Sequence, residues 1–229
     1  MMKCIAFLAA ALLEAAPASA QLVEANQIGV RMGHVHLAVT DVEAHKRFWI
    51  GLMGGTLVRN GPLELIQFPG VYIMLRKVDA PAPPNTTAIV NHFGFTVKDM
   101  PASLARWKAA GVKIEPLPEN PNEVYLYAPD DVKVEVYGEP ALSTPISMNH
   151  IHYYASDIPA IKRWYVNAFG ANPGQRPCIA CISKPRMIEA DDLPGVNLTF
   201  AAATAPVIDG TRGIRSITSA STSPTWKRW

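Results

Sequence analysis

Charged side chains are scarce in this chain. They make up 17% of its 229 residues, and 21 Lys and Arg nearly cancel 19 Asp and Glu. There is no basic field for nucleic acid and no acidic tail, which leaves a small molecule as the expected partner. Cysteine is scarcer still, with three in the whole chain, too few for a disulfide scaffold. Cys178 and Cys181 have C-x-x-C spacing, but structural zinc needs about four ligands and no second pair is present. They read as a local disulfide or two packed thiols. Long apolar runs are missing too. The stretch from Cys4 to Leu13 is too short to span a membrane, follows Lys3, and leads to the small residues APASA. Residues 1–20 therefore read as a secretory signal, with Glu14 the one discordant residue. The expected product is an exported, periplasmic or secreted protein with no membrane segment after cleavage.

What the chain does contain is a repeat. Three phrases, HVHLAVTD from His34, HFGFTVKD from His92 and HIHYYASD from His150, recur at intervals of 58 residues. Each opens on His, alternates through a strand-like stretch, and closes seven residues on with an Asp suited to cap a helix. Repetition of whole phrases implies copies of one supersecondary unit.

In the first copy a strand over 35–40 is followed by a helix ending at Gly54 and Gly55, then by strands near 56–59, 63–68 and 71–77, with Pro69 and Gly70 making the last turn. This predicts a βαβββ unit over 31–80. A second unit covers 88–138, after the linker PAPPNTT at 81–87, and GEPALSTP at 138–145 leads to a third over 146–211. Copies one and three match best. His34, His36, Asp41, Lys46, Arg47 and Gly54 recur 116 residues later as His150, His152, Asp157, Lys162, Arg163 and Gly170. The PGV at Pro69 recurs late, at Pro194, so the stretch holding Cys178 and Cys181 is an insertion.

These His-led strands, the helices with Phe48, Trp49, Gly54 and Trp164, Tyr165, Gly170, and KVEVYG from Lys133 together resemble the vicinal oxygen chelate superfamily. That superfamily includes glyoxalase I, extradiol dioxygenases, and fosfomycin- and bleomycin-resistance proteins. The resemblance implies an α+β fold in which βαβββ modules pair into a curled mixed sheet. It pairs units one and two as a domain over 31–140 and leaves the third module without a partner. Carried over position by position, it implies metal ligands His34, His92 and Glu135, with Met74 at a fourth position where a thioether suits a hard metal poorly. Two imidazoles and a carboxylate form a facial triad that favours Fe or Mn, with Zn or Ni as alternatives. The implied enzyme is a dioxygenase-like or glyoxalase/lyase-like one acting on vicinal oxygens, in one chain or with modules swapped in a homodimer. The competing readings are a metal-free sequestering protein of the bleomycin-resistance kind and a truncated, non-functional frameshift product.

A lone His on an apolar strand is ordinarily a satisfied core residue, and the case for metal rests on matched positions with a Glu. His36 shares the face of His34 and is a candidate acid/base or substrate contact, or a neighbour of a ligand. Tyr125 and Tyr127 are weaker catalytic candidates, with core packing the default. Gln67 and Arg59 are candidate pocket groups. His45 and the Lys–Arg pairs read as solvated helix surface, and Phe48, Trp49, Trp164 and Tyr165 as core between helix and sheet. Residues 212–229 have neither strand nor helix pattern and read as a disordered tail. One choice of codons for 215–229, read in a shifted frame, encodes LDHIGFDVSNLEAL. That is the same His-x-Gly-Phe phrase where a fourth unit would begin, so the tail is expected to be a frameshift product, genuine or from sequencing error.

Overall fold

The computed structural model describes residues 22–80, 88–203 and 219–221; the expected signal and the linker at 81–87 lie outside them. Unit one comprises β1 (Met32–Val39), α1 (Val42–Lys46) extended by a π-helical turn (Arg47–Leu52), β2 (Thr56–Asn60), β3 (Leu63–Phe68) and β4 (Val71–Lys77). Unit two follows with β5 (Val90–Val97), α2 (Met100–Ala109), β6 (Lys113–Leu117), β7 (Asn120–Ala128) and β8 (Val132–Gly138). Unit three has β9 (Ile146–Ala155), α3 (Ile158–Phe169), β10 (Asn172–Pro177), β11 (Met187–Leu193) and β12 (Val196–Ala202). The repeated Asp caps a helix in every copy: Asp41, Asp99 and Asp157 each accept the amide N–H three residues on, at 2.9 Å. The first and third helices stop where Gly54 and Gly170 take positive φ, a conformation that suits a residue without Cβ.

Within each unit the first strand runs parallel to the last, as β1·β4, β5·β8 and β9·β12. Between units, β5 pairs antiparallel with β9, making an eight-stranded sheet in the order β10-β11-β12-β9-β5-β8-β7-β6. The expected partnership of units one and two is thus replaced by units two and three. The sequence could not choose, because β1 and β9 carry the same His-x-His and either could lie against β5. Unit one forms its own sheet, β13-β1-β4-β3-β2, in which β13 is Ser219–Ser221. The expected disordered tail therefore contributes a strand, and its other residues lie outside those described.

The sheets share an apolar core. Trp49 is fully buried and stacks on Phe93 at 5.8 Å, with Phe68 and Phe95 around it. The PGV turns of units one and three lie beside each other. Met148 N–H donates to the Pro69 carbonyl at 3.1 Å, and Met32 N–H to that of Pro194 at 2.8 Å. The reading of Phe48 and Trp49 as core agrees with their burial, whereas Trp164 is 55% exposed on α3 because its helix is amphipathic and that position faces outward. Among the described residues no helix is long and apolar enough to cross a membrane.

Candidate metal centre

The junction of β5 and β9 gathers His92, His150 and His152, and β8 adds Glu135. One ligand atom from each lies within 4.8 Å of all the others. His92 Nε2 is 2.8 Å from Glu135 Oε2 and 3.4 Å from His150 Nε2, and His150 Nε2 is 3.6 Å from Glu135 Oε1. His92, Glu135 and His150 are all buried.

Strand irregularities set the geometry. The β5–β9 register shifts between Val90 and His92 and again between Gly94 and Phe95, leaving Asn91 and Asn149 as the extra residues. A bulge lets two consecutive side chains approach instead of pointing to opposite faces. Accordingly Asn91 Oδ1 lies 2.8 Å from His92 Nδ1, and Asn149 Oδ1 lies 2.9 Å from His150 Nδ1. An amide oxygen only accepts, so each Nδ1 holds its proton, and each Nε2, which meets Glu135 here, is the atom that would offer a lone pair to a metal. Opposite His150, Gly94 makes the room: a Cβ there would stand 2.2 Å from the ring's Cε1.

The result is a cage of acceptors. Burial pushes the Glu135 carboxyl up, yet His150 and His92 outweigh it and hold it well below its usual range. Burial lowers His92, against the pull of Glu135, and takes His152 down to about 3, helped by His92 and His150. His152 Nε2 is buried with no hydrogen-bond partner. Neutral imidazoles, an ionised carboxylate and an orphaned nitrogen converging on one point fit a divalent cation. Beside them Glu123 is buried, accepts from Asn120 Nδ2 at 3.1 Å, and is pushed up to about 8 by burial and by Glu135. Its proton is thereby held more tightly than that of a free carboxyl group.

Of the residues expected from sequence, His92 and Glu135 are in the cluster and His34 is not. His34 lies on β1 in the other sheet, 4.5 Å from the ring of His36, and burial takes it down to about 4. His36 is likewise remote, and its registered neighbour on β4 is Met74. The residues brought together that could hold a metal are therefore His92, Glu135, His150 and His152, and His34 lies apart from them. Tyr125 sets its ring edge on His92 at 5.3 Å and carries Lys133 Nζ 3.6 Å over its face. Tyr127 is turned away, donating to Glu115. Arg59 pairs with Glu64 at 2.7 Å. Gln67 lines a separate cleft of ≈ 570 Å³ between unit one and α2. His45 is fully buried, not solvated. The missed residues were His150, His152, Asn149 and Asn91. The Asn-His pair at 91–92, repeated at 149–150 but replaced by Gly33 and His34 in unit one, was the signal that could have found them.

Paired βαβββ units with His and Glu at the centre of their shared sheet are the architecture the vicinal-oxygen resemblance implies. Residues 31–136, units one and two, match the Glyoxalase/Bleomycin resistance protein/Dioxygenase superfamily. No curated protein matches the sequence. Glyoxalase I from Zea mays is similar in structure at 16% identity and a TM-score of 0.58, covering 77% of this chain and 69% of that one. FosX, a fosfomycin resistance protein from Listeria monocytogenes, aligns at 20% identity and a TM-score of 0.38 over 45% of this chain and 87% of its own. TnmS3, an antibiotic binding protein from a Streptomyces species, aligns at 18% and 0.38 over 46% and 92%. At these identities the glyoxalase I likeness speaks to fold alone.

Proposed function

We propose that this chain is a metal-dependent enzyme acting on a small molecule with adjacent oxygens, at a centre held by His92, Glu135 and His150. The observation that carries this reading is the pair of Nδ1-to-Asn contacts, which commit two buried imidazoles to offer their Nε2 lone pairs beside an ionised carboxylate. A bound divalent metal supplies Lewis-acid polarisation of the substrate's oxygens. Among the chain's own groups, Glu123, pushed up by burial and by Glu135, is placed to hold a proton. Among metals, Fe(II) or Mn(II) are favoured by the two-His, one-Glu set, with Zn(II) and Ni(II) as the competing occupants. The reaction is of the dioxygenase or glyoxalase/lyase type.

Metal analysis of purified protein tests this. About one divalent ion per chain is expected, lost in His92→Ala, Glu135→Ala and His150→Ala and retained in His34→Ala. Wild-type protein without bound metal would favour sequestration of a ligand by the bleomycin-resistance route. We also propose export, supported by the apolar run ending in APASA and by the disulfide between Cys178 and Cys181, which suits an oxidising compartment.

A further inference from the structure

Units two and three place their residues about the centre with an approximate two-fold correspondence, and one corner breaks it. On the last strand of unit two, Glu135 stands opposite Gly94 of β5. The matching place in unit three is Thr199, opposite His152 of β9. A second carboxylate there would close the site. Instead the corner holds a cation: Arg176, from β10, reaches across β11 so that Nη1 meets Asn149 Oδ1 at 3.2 Å, Asn197 Oδ1 at 3.4 Å and Thr199 Oγ1 at 3.4 Å.

Arg176 is half-buried and forms no ion pair with any described carboxylate. All three of its contacts use Nη1, which leaves Nε and Nη2 without protein acceptors among the described residues. The ionised carboxylate of the centre, Glu135, is engaged by His92 and His150, and the half-buried guanidinium has no carboxylate of its own in contact. The arrangement is stabilised when an anion arrives. Asn149 links the two sides, since its Oδ1 accepts from both His150 Nδ1 and Arg176 Nη1. The guanidinium also lies close enough to His152 and Glu123 to depress both.

We propose that Arg176 is the anion-recognition residue of this site, and that its substrate carries an oxyanion, carboxylate or phosphonate, next to the oxygens that chelate the metal. The planar fork of Arg suits two oxygens of such a group. Thr199, a hydroxyl where unit two has a carboxylate, leaves Arg176 the charged group of that corner. This inference rests on the metal reading above for the position of the chelating oxygens, though not for the anion site itself.

Two binding experiments on the full chain separate the two ideas. With Mn(II)-loaded protein, calorimetry compares glycolate with its neutral counterpart glycolamide, in wild type, Arg176→Gln and Arg176→Lys. Arg176→Gln is expected to weaken glycolate about tenfold or more, the loss typical of a charged hydrogen bond, while leaving glycolamide and Mn(II) affinity unchanged. Arg176→Lys keeps the charge but not the fork, and is expected to fall between. With metal-free protein, titration with inorganic phosphate and with acetate is followed by thermal shift, and stabilisation is expected in wild type but not in Arg176→Gln. The stronger of the two anions identifies the phosphonate or carboxylate class. If Mn(II) fails to bind while Arg176-dependent anion binding persists, the metal reading falls and this inference stands. If Arg176→Gln treats every anion as wild type does, or weakens Mn(II) and not the anions, Arg176 only positions Asn149 and the inference is overturned.

Discussion

At the scale of single residues, the centre depends on a side chain that is missing. Gly94 lies within the space of the His150 ring, and its φ is unremarkable, so the requirement is volume and not backbone conformation. In Gly94→Ala the methyl group must push His150 out of line with His92 and Glu135. Metal affinity is expected to fall about 10–100-fold, the scale seen when ligand orientation is disturbed, with circular dichroism unchanged. An unaltered affinity would mean the imidazole can retreat without leaving the site. The same scale separates the two repeat-heading histidines that meet in the cluster from the one that does not. His92 and His150 follow an Asn that fixes the tautomer, and His34 follows Gly33. The pairs Lys46–Glu64 at 2.6 Å and Lys162–Glu189 at 2.5 Å likewise show that repeated lysines read as solvated surface hold matched ion pairs at the helix–sheet boundary.

Between elements, α1 is tied to the β7–β8 turn by a buried network. Asp130, itself at positive φ, accepts from the Thr40 amide at 2.7 Å and meets His45 Nε2 at 3.3 Å. Trp49 Nε1–H donates to His45 Nδ1 at 3.2 Å, so the neutral ring already uses both nitrogens. Burial lowers the imidazole's pKa despite the opposing effect of Asp130. A folded-state pKa below the unfolded 6.5 means the unfolded chain binds the extra proton first. The stabilising contribution is therefore full above about pH 6.5 and is lost as pH falls below it. Urea unfolding of metal-free protein is expected to show that decline, and His45→Gln to make it shallower. An identical slope in the variant would place the acid sensitivity elsewhere. Insertion 178–186 works at the same scale. It leaves the unit-three edge and docks on unit two, where Glu119 Oε2 accepts from Ser183 and the Ile179 carbonyl from Asn120. The two ends of the eight-stranded sheet are thereby drawn together around the centre.

For the molecule as a whole, the open question is the edge of β1. Its register with β13 places His34 opposite Ala220, with a shift between Met32 and His34. That is the relation of His150 to Gly94 across the complete pair, including the bulge. β1 and β13 thus repeat, in the smaller sheet, the antiparallel contact that β9 and β5 make at the centre.

Local chemistry was legible in the sequence because it is written in neighbouring residues. Alternation gave the strands, Asp and Gly gave the helix ends, and the 58-residue spacing gave three βαβββ units with their His on equivalent strands. His92 and Glu135 followed, since both belong to one unit and meet through its own parallel pair, β5·β8. The partner of that unit was a different kind of question. Units one and three present almost the same first strand, so their hydrophobic patterns fit β5 alike and contain no preference. Tertiary packing decided it, with β9 against β5, the Asn-bearing bulges, and Arg176 arriving from a strand some 25 residues further along. Which His completes the centre depends on which edges meet, a relation between distant segments that no local pattern encodes.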